Sequence, residues 1–114
     1  MHANEYQRLA ARTLIAEPEN ELTGPESMVV WNALGLAGEA GEVADLIKKG
    51  VFHQHGVSRD TIRDELGDVL WYVAALCTNH GLTLEEVMEA NVEKLKQRYP
   101  EGYSSERSIN REKQ

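Results

Sequence analysis

A chain of 114 residues has the length of one domain, long enough for a core but a modest one. Its net charge of -7 excludes the basic surface that a nucleic-acid backbone binder needs, yet it leaves room for a small phosphate ligand whose charge a metal offsets. The opening MHANEYQRLAAR lacks the apolar run of a signal peptide and no stretch reaches the length of a membrane span, so a cytoplasmic protein with no membrane partner is expected.

The first predicted helix covers about residues 4–15, with Tyr6, Leu9, Ala10, Thr13 and Leu14 at helical spacing. A polar stretch from Glu17 to Gly24 interrupts it. The second helix, about 25–49, opens at Gly24-Pro25-Glu26, where proline suits the first turn. Gly50 reads as its stop. After the loop VFHQHG, a third helix runs over about 58–80, with Ser58 as N-cap. Cys77 falls in an apolar run of this helix, where a buried thiol is expected. Thr83 and Glu86 form a capping box for the fourth helix, about 84–99, which Pro100 ends. The remainder, 100–114, is a polar tail whose one strongly apolar residue is Ile109. No strand alternation or hairpin signal occurs. Long amphipathic helices with short loops predict an all-α, antiparallel four-helix bundle spanning 1–114 as one domain.

Two acidic pairs sit in matching pentads, Glu39-Ala-Gly-Glu42-Val and Glu65-Leu-Gly-Asp68-Val, with 22 residues between Glu42 and Glu65. Acids at this spacing usually form a solvated face. With Glu39 at 0° on a helical wheel, however, Glu42 falls near 300° and Leu46, Val43 and Leu36 lie at about 340°, 40° and 60°. Setting Glu65 at 0° gives the same result for Asp68 beside Tyr72, Leu76 and Val69. The acids therefore interrupt the apolar stripe, where four ionised carboxylates need compensation. Basic partners or a divalent cation are the two ways to supply it, and no Lys or Arg lies close on the inward positions. An all-oxygen donor set suits Mg²⁺, with Mn²⁺ as substitute, rather than Zn²⁺. A di-iron bundle would carry Glu-x-x-His pairs, which are absent. Gly35, Gly38 and Gly41 on the second helix suggest close approach by a helix or ligand. On the fourth helix, Asn91, Lys94 and Arg98 share the side of Leu84, Val87 and Leu95, where they either face the acids or snorkel from the stripe's edge.

Glu39-x-x-Glu42 followed after the spacer by Glu65-x-x-Asp68, within LGLAGEAGEVADLIKK and DELGDVLWYVAAL, resembles the MazG-like all-α nucleotide pyrophosphohydrolases. Asn91-x-x-Lys94-x-x-x-Arg98-Tyr99-Pro100 extends the similarity, which covers about residues 25–111. The resemblance implies cleavage of a nucleoside triphosphate between the α and β phosphates, in a house-cleaning or pool-balancing role. It implies Mg²⁺ on Glu39, Glu42, Glu65 and Asp68 as the catalytic set, with Glu39 as candidate general base. Lys94, Arg98 and Asn91 would contact phosphate or sugar, and Trp31, on the face of Glu42, would stack on the base or pack in the core. It further implies a homodimer or homotetramer with sites near subunit interfaces, where Arg107 and Arg111 would reach a neighbour's site. His53 and His55 form a loop His-x-His that the family pattern does not require. Two alternatives stand beside the enzyme: a non-catalytic helical sensor of a metal–nucleotide complex, and a bundle whose acids pair with another subunit's basic residues.

Overall fold

The computed structural model describes residues 1–14, 25–52 and 56–102. Its regular elements are four helices: α1 (Ala3–Ala11), α2 (Pro25–Phe52), α3 (Arg59–Asn79) and α4 (Leu84–Arg98). The chain is all-α, as its periodicity predicts. His53, His55, Arg107 and Arg111 lie outside the described residues.

Helix ends follow local chemistry. Ser58 Oγ accepts from the Thr61 amide at the start of α3, and Thr83 Oγ1 accepts from Glu86 at 3.1 Å at the start of α4. The preceding amides of α4 are taken from outside: Gln7 Oε1 accepts from Leu84 N at 2.7 Å and Asn4 Oδ1 from Glu85 N at 3.0 Å. Thus α1 completes the cap of α4. At its own C-terminus α1 stops short of the expected residue 15. The amides of Arg12, Thr13 and Leu14 turn back to carbonyls three residues earlier, and Thr13 Oγ1 donates to Ala10 O at 2.9 Å. That same hydroxyl accepts from the Trp71 indole at 2.9 Å, tying the turn to α3.

Gly50 does not stop α2, which continues to Phe52. It is a point of close approach instead: a Cβ there would collide with Val57 and lie 3.0 Å from Gly56 O. The returning chain crosses α2 at this place, with Gly56 N donating to Gly50 O at 3.1 Å.

α2 and α3 pack antiparallel. Gly50 meets Val57, Gly35 meets Tyr72, and Asn32 Nδ2 donates to Asn79 Oδ1 at 2.8 Å. Asn32 is the buried polar side chain among the described residues, and this bond satisfies it. α1 lies antiparallel on the other side of α3, through Thr13 to Trp71 and Gln7 Nε2 to Thr78 Oγ1. α4 packs on α1 and α3, and among the described residues it does not touch α2. The bundle is therefore open on one side.

The core is small: Ala10, Met28, Ala74, Ala75, Cys77 and Leu84 are buried. Val30, Trp31 and Leu34 on α2 and Met88, Val92 and Leu95 on α4 remain half-exposed or more. Among the described residues, nothing packs over these two apolar stripes.

Of the three spaced glycines, only Gly35 is approached; a Cβ there would overlap the Tyr72 ring, whereas Gly38 and Gly41 face open space. Gly35→Ala is expected to destabilise by about 1–3 kcal/mol through overpacking. Gly38→Ala is expected to gain up to about 1 kcal/mol of helix propensity. Urea midpoints of the two variants against wild type check the contrast; equal shifts would contradict the packing.

Candidate metal centre

Because α2 and α3 cross antiparallel with Gly35 against Tyr72, the two acidic pentads come level with each other. Glu39, Glu42 and Glu65 each place a carboxylate oxygen within 4.8 Å of the others. Glu39 and Glu65 are half-buried and Glu42 is exposed, so the cluster opens to solvent on one side. Asp68 is exposed and lies outside this close set. Its charge nevertheless acts on both Glu39 and Glu65.

The electrostatics are those of uncompensated like charges. Glu39 is held above the usual carboxylate range, first by burial, then by its hydrogen bond with Glu42 and the charges of Glu42, Asp68 and Glu65. Glu65 is raised as well, first by burial, then by the charges of Glu42 and Asp68. Asp45, on the outer face of α2, behaves oppositely. The Lys49 ammonium at 2.8 Å bonds to it and holds it below its ordinary value. Among the described residues no Lys or Arg acts in this way on Glu39 or Glu65.

Two oxygens make the need for a ligand specific. Glu39 Oε2 and Glu65 Oε2 are buried and have no hydrogen-bond partner. A covered oxygen without a partner is unfavourable, and more so when charged. Oxygens on opposite sides of a bound Mg²⁺ lie about 4 Å apart, and the carboxylate oxygens here lie within 4.8 Å of one another. The three carboxylates thus fit a hard divalent cation, and this set of donors can hold a metal.

The other expected site residues are not brought to the acids within the chain. Asn91 and Lys94 are exposed on α4, Arg98 is half-buried near its end, and α4 does not touch α2. Trp31 is 50% exposed. It lines an open groove of about 630 Å³ with Ser27, Val30, Leu34 and Gly35. Tyr6 is a neighbour that sequence reasoning missed. Its phenol is pushed up by burial and then by the charge of Asp68. In the sequence it is simply one more apolar position of the first helix.

Residues 30–103 match the MazG nucleotide pyrophosphohydrolase domain. The match takes in both acidic pairs and all of α3 and α4. The chain is also 37% identical over 106 residues to the Gene 37 protein of Mycobacterium phage L5, covering 90% of this chain and 92% of that protein. No solved structure gives a significant match. The chain belongs to the MazG nucleotide pyrophosphohydrolase family. No helix among the described residues is long and apolar enough to cross a membrane.

The raised carboxyls carry a sign that can be measured. In metal-free protein the folded state keeps protons that the unfolded chain has released, so these groups cost stability as pH rises above about 4.3. Glu65→Gln is expected to remove part of that cost, giving a higher Tm than wild type at neutral pH in EDTA. The same variant should gain less from added Mg²⁺ than wild type does. Thermal scans at several pH values, with EDTA or Mg²⁺, check both; a metal-free variant less stable than wild type would contradict the electrostatic reading.

Proposed function

We propose that this chain hydrolyses a nucleoside triphosphate to the monophosphate and pyrophosphate, using Mg²⁺, or Mn²⁺ in its place, held by Glu39, Glu42, Glu65 and Asp68. The observation that carries this reading is the convergence of three carboxylates with two buried, unpartnered oxygens. Membership of the family supplies the reaction class.

A bound Mg²⁺ supplies charge neutralisation at phosphate oxygens and makes water a better nucleophile. Glu39 is the acid exposed to the charges of all three others, which suits it to take the proton from the attacking water. In that step the water oxygen bonds to phosphorus, the bond between the α and β phosphates breaks, and pyrophosphate leaves. Trp31 lies eight residues before Glu39, about 12 Å along the helix axis. Its half-exposed indole and apolar groove suit a base whose phosphates reach the acids. Lys94 and Arg98, which form no ion pair among the described residues, are candidates for phosphate contact, with Asn91 for sugar or phosphate. Since α4 stands apart from α2, these groups fit a site completed in a homodimer or homotetramer.

One observation favours a second reading. Among the described residues no cation acts on the raised acids, as in a module that binds a metal–nucleotide complex without turnover.

A panel of NTPs and dNTPs with Mg²⁺, separating pyrophosphate from orthophosphate, decides between them. The expected products are monophosphate and pyrophosphate, with kcat reduced by about 10²-fold or more in Glu42→Gln and Glu65→Gln. Orthophosphate with a diphosphate would overturn the cleavage assignment. Absence of turnover in protein still stabilised by Mg²⁺ would select the sensor.

A further inference from the structure

Asn32 is a polar side chain on the seam where α2 meets α3. With Glu39 at 0°, Met28, Asn32, Gly35, Glu39, Glu42 and Leu46 fall between about 300° and 20°, and they recur at alternating steps of four and three residues. On α3, Glu65, Asp68, Tyr72, Ala75 and Asn79 recur at steps of three and four within a similar arc. Asn32 and Glu39 are thus seven residues apart at equivalent seam positions, and Glu65, Tyr72 and Asn79 repeat at the same interval. Asn32 is 2% exposed, and its Nδ2 donates to Asn79 Oδ1 at 2.8 Å. Asn79 is the last residue of α3. Thr78 beside it accepts from Gln7 Nε2 at 3.2 Å, so α1 steadies the accepting end.

A seven-residue repeat on both helices creates a hazard. Sliding one helix along the other by seven residues, about 10 Å, keeps seam against seam. In the observed pairing Gly35 meets Tyr72 and Gly50 meets Val57, which sets Glu42 level with Glu65. One slip would move Tyr72 from Gly35 to Met28, an apolar contact in its own right, and set Asn79 at Pro25, the first residue of α2. The opposite slip would move Tyr72 to Glu42 and carry Asn32 past the end of α3. Glu65 would then lie level with Gly35 or with Lys49, and the carboxylates would part. The buried part of α3 is made of small residues, Ala74, Ala75 and Cys77, so shape alone discriminates weakly between these pairings. The buried amide discriminates strongly, because either slip takes Asn79 away from Asn32. A hydrogen-bonded polar pair in such a place adds little net stability over an apolar pair of similar size, and its contribution is to the choice of register.

We infer that the Asn32–Asn79 hydrogen bond is a register pin for the carboxylate centre. Asn32 and Asn79 are positioning residues: they select the one pairing of α2 and α3 that brings Glu39, Glu42 and Glu65 together, while contributing little to the stability of the fold. The consequence for metal binding rests on the proposed divalent-cation site, whereas the choice of register does not.

The test reads register and stability separately. Spin labels on Glu26→Cys and Asp64→Cys, both exposed positions, in a Cys77→Ala background, report the α2–α3 register as a distance in metal-free protein. This parent should give one narrow distance. Asn32→Leu with Asn79→Leu should keep a urea midpoint at or above that of the parent, yet add a second distance or a broad distribution, since a slip moves the labels about 10 Å along the axis. Asn32→Leu with Asn79→Ala serves the same comparison if two leucines overfill the seam. Asn79→Asp keeps the accepting oxygen and should restore the parental distance. In unlabelled protein the double apolar variant should bind Mn²⁺ about tenfold or more weakly than wild type, the size of loss that misplaced ligands cause. A single parental distance in the double apolar variant, with or without a lower urea midpoint, would overturn the pin and leave the bond a merely structural one. A shifted register with unchanged Mn²⁺ affinity would overturn its link to the centre. A wild type that binds no Mn²⁺ would overturn the metal reading, while the label distances still decide the register.

Discussion

Packing of α2 against α3 holds like charges together. The helices close on each other because Tyr72 lies over Gly35 and because the buried Asn32 is met by Asn79. The acidic pentads follow passively, and three carboxylates converge that in water would separate. Folding supplies the free energy for this convergence, and a bound cation would return part of it by neutralising the cluster. The arrangement of charges, orphan oxygens and solvent opening all depend on that one helix pair. A chain whose α2 and α3 packed in another register would present ordinary surface acids.

α1 and α4 serve this pair in different ways. α1 braces the outer side of α3 through Thr13, Trp71 and Gln7, and lends Asn4 and Gln7 to the first turn of α4. It also brings Tyr6 towards Asp68. From Met88 to Gln97 α4 is exposed, and its apolar stripe and the candidate residues Asn91 and Lys94 with it, while Arg98 is half-buried. The division is between a hairpin whose carboxylates converge within one chain and a fourth helix exposed over most of its length.

Much of this was legible beforehand. The helices and their caps are local properties, and Ser58, Thr83 and Pro100 mark them directly. The acids could be singled out because a helical wheel shows which residues share a face. It does not show which neighbour that face meets. A wheel puts Asn91, Lys94 and Arg98 on the side of Leu84, Val87 and Leu95 but leaves open whether they face the acids or edge the stripe, and among the described residues α4 packs on α1 and α3. For the same reason the wheel treats Asp68 as the equivalent of Glu42, while the crossing of α2 and α3 leaves it outside the close set. Gly50 reads as a helix stop because glycine commonly ends helices, and only the return of the chain at Gly56 and Val57 reveals why the residue is small. Gly38 and Gly41 resemble Gly35 in spacing but meet nothing within van der Waals reach. The early end of α1 depends on a hydroxyl engaged by Trp71, 58 residues away along the chain.

The central claim is that the carboxylates converge in order to hold a divalent cation. Crystals grown with Mn²⁺, with the ion located by anomalous scattering, test it most directly. The account predicts one or more Mn²⁺ ions bounded by oxygens of Glu39, Glu42 and Glu65, with Glu39 Oε2 or Glu65 Oε2 among the ligands. Ordered Mn²⁺ elsewhere, or a cluster whose oxygens share protons and carry no ion at saturating Mn²⁺ and neutral pH, would contradict it.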